Sequence, residues 1–267
     1  VMTVPVAVAQ FATGLDKTEN LKLVREAITT AADAGAQLVI TPENGMYNDP
    51  TNVGTDAGYP EPLDGPFLTG IRDTARAAGV TAVVGMAESV EGDARAYNTL
   101  AVVGPDGALI GVYRKVHLYD AFGYAESDKI IPAEVTDPLT FDLGDLRFGA
   151  MTCYDLRFPE MARTLVDAGA TAIVLPAAWA SGPAKEDHWA TLVRARAIEN
   201  TCFVLASGQT GPRCTAQSMI VDPMGTVVAS AGEQPGFALT SIGLDRVEQV
   251  RTVNPSLANR RFRVTPA

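Results

Sequence analysis

Three side chains of complementary chemistry stand directly after apolar, strand-like runs: Glu43 after 37–41, Lys115 after 109–113 and Cys153 after 148–152. In open α/β sheets ligands gather at the carboxyl ends of strands, so reactive residues in those places are the ones to weigh. A free thiol is only slightly ionised at neutral pH and needs a base or a positive charge beside it to act as a nucleophile. Glu43 could take the proton, while Lys115 and the start of a following helix would favour the thiolate. Together they would make a nucleophilic site without histidine. Taken singly each has a plainer reading: a solvated glutamate, a surface lysine, a small buried cysteine.

The elements that must carry these residues follow from periodicity. Residues 4–11 read as a strand, and 17–34 as an amphipathic helix with Leu21, Val24, Ile28 and Ala31 on one face and Gly35 as its left-handed stop. A strand over 37–41 ends at Pro42. A helix over 65–78, closed by Gly79, leads to a strand over 81–87, and 98–103 pairs with 109–113 about Gly104-Pro105-Asp106-Gly107. The second half alternates in the same way, with a strand over 146–152, a helix over 159–168 ending at Gly169, and a strand over 171–175 stopped by Pro176. A helix over 185–200, a strand over 201–207 and a hairpin about Asp222-Pro223-Met224-Gly225 complete it.

Asp33-Ala34-Gly35-Ala36, with Val39-Ile40 and Pro42 behind it, returns as Asp167-Ala168-Gly169-Ala170, with Ile173-Val174 and Pro176. Shared capping chemistry or two similar halves would each produce this echo. Strand and helix alternate throughout, which predicts an α/β core in a single domain over 1–267. The tail from about 250, with Arg260, Arg261 and Arg263, is expected on the surface or at a subunit interface.

Composition narrows the function. The 267 residues carry a net charge of −10, which argues against nucleic acid or an anionic membrane as partner. No apolar run is long enough for a membrane span, and no basic residue precedes Lys17, so no secretory leader is read and a cytoplasmic location is expected. With two histidines, His117 and His188, and three scattered cysteines, Cys153, Cys202 and Cys214, neither a zinc site nor a disulfide framework is expected. Dinucleotide, phosphate-loop and serine-elbow motifs are absent, so no cofactor is expected.

At the three reactive residues the sequence resembles the nitrilase superfamily of carbon-nitrogen hydrolases. The likeness runs through Pro42-Glu43, Gly85-Met86-Ala87-Glu88, Tyr97-Asn98, Tyr113-Arg114-Lys115-Val116-His117-Leu118 and Cys153-Tyr154-Asp155-Leu156-Arg157-Phe158-Pro159-Glu160. It continues through Pro176-Ala177-Ala178-Trp179, His188-Trp189 and 194–200.

The resemblance implies a four-layer α-β-β-α sandwich with pseudo-two-fold halves, a catalytic Glu43-Lys115-Cys153 triad and an assisting Glu126, with Glu134 nearby. It implies attack of Cys153 on an amide carbonyl, a thioester, and its hydrolysis, with Lys115 and the Tyr154 backbone N–H facing the oxyanion. Tyr154, Trp179 and His117 are the substrate-contact candidates, His117 either lining the pocket or packing beside it. Arg157 could bind a substrate carboxylate, or brace the nucleophile turn through Glu160 or Asp155; bracing is favoured. The Cys-Tyr-Asp-Leu-Arg-Phe-Pro-Glu run is similar to omega-amidases and deaminated-glutathione amidases, so the expected substrate is a small amide, with water as second reactant. Nitrile or N-carbamoyl hydrolysis on the same triad and a silent binding scaffold are the alternatives. Substrate choice is expected from the loops 46–62 and 119–127, and a homodimer or higher homo-oligomer is expected.

Overall fold

The computed structural model describes residues 2–49 and 59–266. The first half consists of β1 (Thr3–Gln10), α1 (Lys17–Asp33), β2 (Leu38–Ile40), α2 (Pro66–Ala78), β3 (Thr81–Ser89), β4 (Ala96–Val103) and β5 (Leu109–Arg114). A short hairpin, β6 (Asp120–Ala121) and β7 (Tyr124–Ala125), links it to β8 (Thr140–Leu143), β9 (Leu146–Ala150), α3 (Pro159–Asp167) and β10 (Ala172–Ala177). Then come α4 (Lys185–Asn200), β11 (Phe203–Gly208), β12 (Met219–Val221), β13 (Val227–Ser230), β14 (Gly236–Gly243) and α5 (Leu244–Val253).

Two six-stranded sheets result, ordered β14-β1-β2-β3-β4-β5 and β13-β12-β11-β10-β9-β8. Each has three parallel central strands, an antiparallel hairpin on one side and one antiparallel strand on the other. The sequence echo falls on equivalent joints, α1 to β2 and α3 to β10. At both, a glycine with φ near +100° (Gly35 at 102°, Gly169 at 96°) ends the helix, a conformation with little cost only for a residue lacking Cβ.

The layers follow from which faces are apolar. Val6, Val8, Leu38, Ile40 and Val83 of the first sheet meet Phe148, Val174, Phe203 and Leu205 of the second in one core between the sheets. The opposite face of the first sheet buries Val24 and Ile28 of α1 and Phe67 and Ile71 of α2. The far face of the second buries Leu165 of α3 and Trp189 and Val193 of α4. This is a four-layer α-β-β-α sandwich, and each fully buried aliphatic side chain contributes roughly 1.5–3 kcal/mol. The local signals agree: Asp16 caps α1 by accepting the N–H groups of Thr18 and Glu19 at 2.9 and 3.2 Å.

Several boundaries differ from the sequence reading. Pro176 does not stop its strand; β10 continues to Ala177 in register with β11. It is tolerated because β9 has already ended opposite Val174, and the Pro176 carbonyl takes the Thr152 hydroxyl at 2.9 Å instead of a strand partner. β8, β14 and α5 were not expected. β8 is four residues long and β14 reaches its place only by returning across the chain to β1, so neither leaves a strong local pattern. The tail is tied to the body where Arg260 pairs with Asp167 at 2.6 Å. Among the described residues no helix is long and apolar enough to cross a membrane.

Candidate active site

Glu43, Lys115, Glu126 and Cys153 converge where the carboxyl ends of both sheets meet. Glu43 is 2% exposed, Lys115 2%, Glu126 7% and Cys153 7%. Lys115 Nζ lies 3.0 Å from Glu43 Oε1 and 2.9 and 3.1 Å from the two oxygens of Glu126. The Cys153 thiol donates to the Glu43 carboxylate. Glu134 is exposed and lies outside this group.

The backbone leading to each residue explains the convergence. β2 ends at Ile40, and Glu43 is then held from the other half of the chain: Gln209 Nε2 donates to its carbonyl at 2.8 Å, and the Ala178 N–H to its Oε2 at 2.7 Å. Close passage matters here, because a Cβ on Gly85 would stand 2.9 Å from the Asn44 nitrogen and 3.1 Å from Glu43 Cα. Lys115 follows β5 directly, its N–H bonded to the Asn98 carbonyl at 2.8 Å. Glu126 begins a short 3₁₀ turn after the β6–β7 hairpin, and its Oε2 accepts the Tyr119 N–H at 2.6 Å.

Cys153 opens a 3₁₀ turn, Cys153–Arg157, with φ at +46°, a region costly for a residue with a Cβ. Arg196, 4% exposed, forks the Leu156 carbonyl with Nε and Nη2 at 3.0 and 2.7 Å and so anchors that turn to α4.

Electrostatics assign resting protonation states. Burial alone would raise the Glu43 carboxyl, but the Lys115 charge and hydrogen bonds from Cys153, Lys115 and Ala178 outweigh it and hold it below the usual range. Burial opposes the Lys115 charge, yet the flanking carboxylates Glu126 and Glu43 push it well above its ordinary value. Cys153 is pushed well above a normal thiol by burial first and then by the Glu43 carboxylate, with Lys115 acting against both. Lys115 thus acts in the expected direction, toward the thiolate, but burial and the Glu43 carboxylate outweigh it and the proton is held on sulfur. Burial likewise pushes Cys202 and Cys214 up, to about 12.

The remaining candidates lie around this centre. Tyr154 sets its ring edge-on to Tyr119 and Phe158, at 5.2 and 5.3 Å between centroids. Trp179 is buried, donates to the Lys185 carbonyl at 2.8 Å and carries the Arg157 guanidinium 4.7 Å over its ring. His117 stacks on Phe158 at 3.8 Å and puts Nδ1 2.8 Å from Asp155 Oδ1. β5 ends at Arg114, so Lys115 and His117 both stand past the strand, and their side chains reach different partners.

Arg157 does not brace the turn through Glu160 or Asp155. It lies between the Trp179 and Phe122 rings, 3.5 Å from His188 Nδ1, with its Nε lacking a hydrogen-bond partner among the described residues. Residues 50–58 of the loop expected to choose the substrate lie outside the described residues. Sequence reasoning gave no role to Asn98 or Lys185 and cast Asp155 only as a partner for Arg157; Asn98 and Asp155 stood inside matched motifs, the available signal.

Comparison with known proteins settles the family. The pattern of carbon-nitrogen hydrolases matches residues 5–252. The chain belongs to the carbon-nitrogen hydrolase family. A deaminated glutathione amidase of Escherichia coli O157:H7 is 36% identical over 258 residues, covering 96% of this chain and 97% of the relative. Nit3 of Saccharomyces cerevisiae, of the nitrilase superfamily, superposes with a TM-score of 0.84 at 27% identity, covering 97% of each chain. An amidase from Nesterenkonia sp. AN1, with the acetamide moiety of fluoroacetamide added covalently at its active site cysteine, superposes with a TM-score of 0.79 at 26% identity, covering 97% of each chain. This carbon-nitrogen hydrolase is an amidase, cleaving the C–N bond of amides.

Proposed function

We propose that this hydrolase cleaves small, carboxylate-bearing amides through a thioester on Cys153. The observation that carries the mechanism is the Glu43 carboxylate, buried between the Lys115 ammonium at 3.0 Å and the Cys153 thiol that donates to it. Glu43 takes the thiol proton as sulfur attacks the amide carbon, and the C=O electron pair moves to oxygen. Lys115, with the Tyr154 backbone N–H, faces that oxyanion as a donor already in place. Collapse breaks the C–N bond, Glu43 returns its proton to the nitrogen, and ammonia leaves. Glu43 then deprotonates water, which attacks the thioester; carboxylic acid departs and the proton returns to sulfur. Glu126 keeps Lys115 charged and in register. Cys153→Ala is expected to abolish ammonia release from a panel of small amides, and retention of that activity would overturn the mechanism.

The substrate class rests on two cations near the thiol. Lys185, 7% exposed, donates to the Tyr119 hydroxyl at 3.0 Å and lies 3.1 Å from the Phe122 ring centroid. Burial and the neighbouring Arg157 charge both lower its pKa. Neither cation pairs with a carboxylate among the described residues, so a substrate carboxylate would relieve their repulsion and take the Arg157 Nε–H. Trp179 supports the guanidinium, and Tyr154 and His117 both pack against the Phe158 ring of the same turn region. Arg157→Met is expected to raise KM at least tenfold for succinamic acid and to leave kcat/KM for uncharged pentanamide within threefold; equal effects on both would overturn this assignment.

A homodimer is the proposed assembly, supported by the exposed apolar Ile198, Met224, Val227 and Val228 at one end of the second sheet. Sedimentation at micromolar concentration tests it.

A further inference from the structure

Asp155 is fully buried, two residues after Cys153, and has no lysine or arginine partner among the described residues. Its two oxygens hold four contacts. Oδ2 accepts the Tyr113 hydroxyl at 2.6 Å and the Thr152 N–H at 2.9 Å; Oδ1 meets His117 Nδ1 at 2.8 Å and the His117 N–H at 3.4 Å. Three of these partners are N–H or O–H donors, and His117 Nδ1 is a fourth in its Nδ1–H tautomer, enough to fill the lone-pair positions of one carboxyl group. Burial, together with the Asp155 charge, pushes the Tyr113 phenol well above its ordinary value, so it remains a donor.

The partners are not scattered. Tyr113 and His117 stand two residues before and two after Lys115, while Thr152 immediately precedes Cys153. One carboxylate therefore ties the segment carrying the ammonium to the segment carrying the thiol. The tie is reinforced on the lysine side, where the Tyr113 hydroxyl accepts the Val116 N–H at 3.3 Å. Among the described residues Lys115 and Cys153 form no direct hydrogen bond; the Glu43 side chain stands between them.

We propose that Asp155 is a positioning residue that fixes the Lys115 ammonium relative to the Cys153 sulfur, with His117 as the half-exposed end of the same clamp. The proposal rests on Cys153 acting as nucleophile and Lys115 as oxyanion partner. A displacement of about 1 Å at a reacting group can lower a rate by around 10²-fold. His117 then serves through its Nδ1–H, the tautomer that Asp155 selects, and its ring is held flat by Phe158.

The test is the rate of acyl-enzyme formation, read as the nitrophenolate burst from 4-nitrophenyl acetate and as the acetyl adduct on Cys153 by mass, counted per titrated active site. Asp155→Asn is expected to slow acylation by about 10–100-fold with KM changed less than threefold. His117→Asn, whose Nδ2 takes the place of Nδ1, is expected to acylate several-fold faster than His117→Leu, which keeps the size of the side chain and lacks the donor. Should Asp155→Asn fail to fold, the two His117 variants carry the test, because that side chain is 29% exposed and tolerates exchange. A parental adduct with an unchanged Asp155→Asn rate, or equal rates for the two His117 variants, would overturn the clamp alone. No adduct on Cys153 of the parent would overturn the mechanism beneath it.

Discussion

The Asn98 amide nitrogen donates to Glu43 Oε1 at 2.8 Å, the same oxygen that Lys115 reaches at 3.0 Å. It also reaches Glu126 Oε1 at 3.1 Å, so one neutral amide spans two buried carboxylates that share a single ammonium. Asn98→Asp would put a third carboxyl group among them. The Glu43 carboxyl should rise, since like charge disfavours its ionised form. Turnover at neutral pH should fall by more than about 10²-fold, within the range attributed to a misplaced or wrongly protonated base. The acid limb of the pH profile should move upward, and an unmoved limb would argue that Asn98 is not coupled to the base.

The parent profile follows from the directions found for the two coupled groups. Glu43 lies below 4.5 and Cys153 well above 9.0, so the pair holds one proton on sulfur throughout the interval between those values. A flat kcat/KM between them is expected, with loss on the acid side as the pair takes up its second proton. These are macroscopic steps of the pair. A rise centred near an ordinary histidine value would instead implicate an imidazole and contradict the assignment of Glu43 as base.

Lys115→Met removes the charge that two carboxylates depend on. Breaking a buried ion pair by deleting one partner typically costs about 3–5 kcal/mol. The sign with pH is specific. In the parent the lowered Glu43 pKa contributes stability above 4.5 that is lost as pH falls through its folded value. In the variant, burial without the ammonium raises Glu43, so its penalty is present at neutral pH and relieved on acidification. Urea midpoints should therefore show the deficit of Lys115→Met shrinking between pH 7 and pH 5. A pH-independent deficit would sink the argument.

Much of the fold was legible because its signals are local. Gly35 and Gly169 close helices, apolar faces recur at helical spacing on α1 and α2, and the echo between the halves marks equivalent joints. β14 and β8 were illegible since their places depend on partners far away in the chain. At the site, reactive residue types after strands could be read directly, whereas the hydrogen bond from Ala178 to Glu43 joins residues 135 positions apart and has no sequence signature. Arg157 was misjudged for a related reason: sequence neighbours Asp155 and Glu160 suggested ion pairs, but the turn sends the guanidinium to the Trp179 ring.

The backbone of Cys153 offers a test independent of activity. At φ +46° a residue with a Cβ meets steric crowding that glycine avoids, worth roughly 1–2 kcal/mol. Glycine also gains freedom in the unfolded chain, which offsets roughly 0.5–1 kcal/mol of that relief. Cys153→Ala and Cys153→Gly both remove the thiol and its hydrogen bond to Glu43, so the comparison between them isolates the backbone. Cys153→Gly should be the more stable of the two, by up to about 1 kcal/mol in urea unfolding. A glycine variant clearly less stable than the alanine variant would show that the 153–157 turn carries no such strain, and that its position is set by the Asp155 and Arg196 contacts alone.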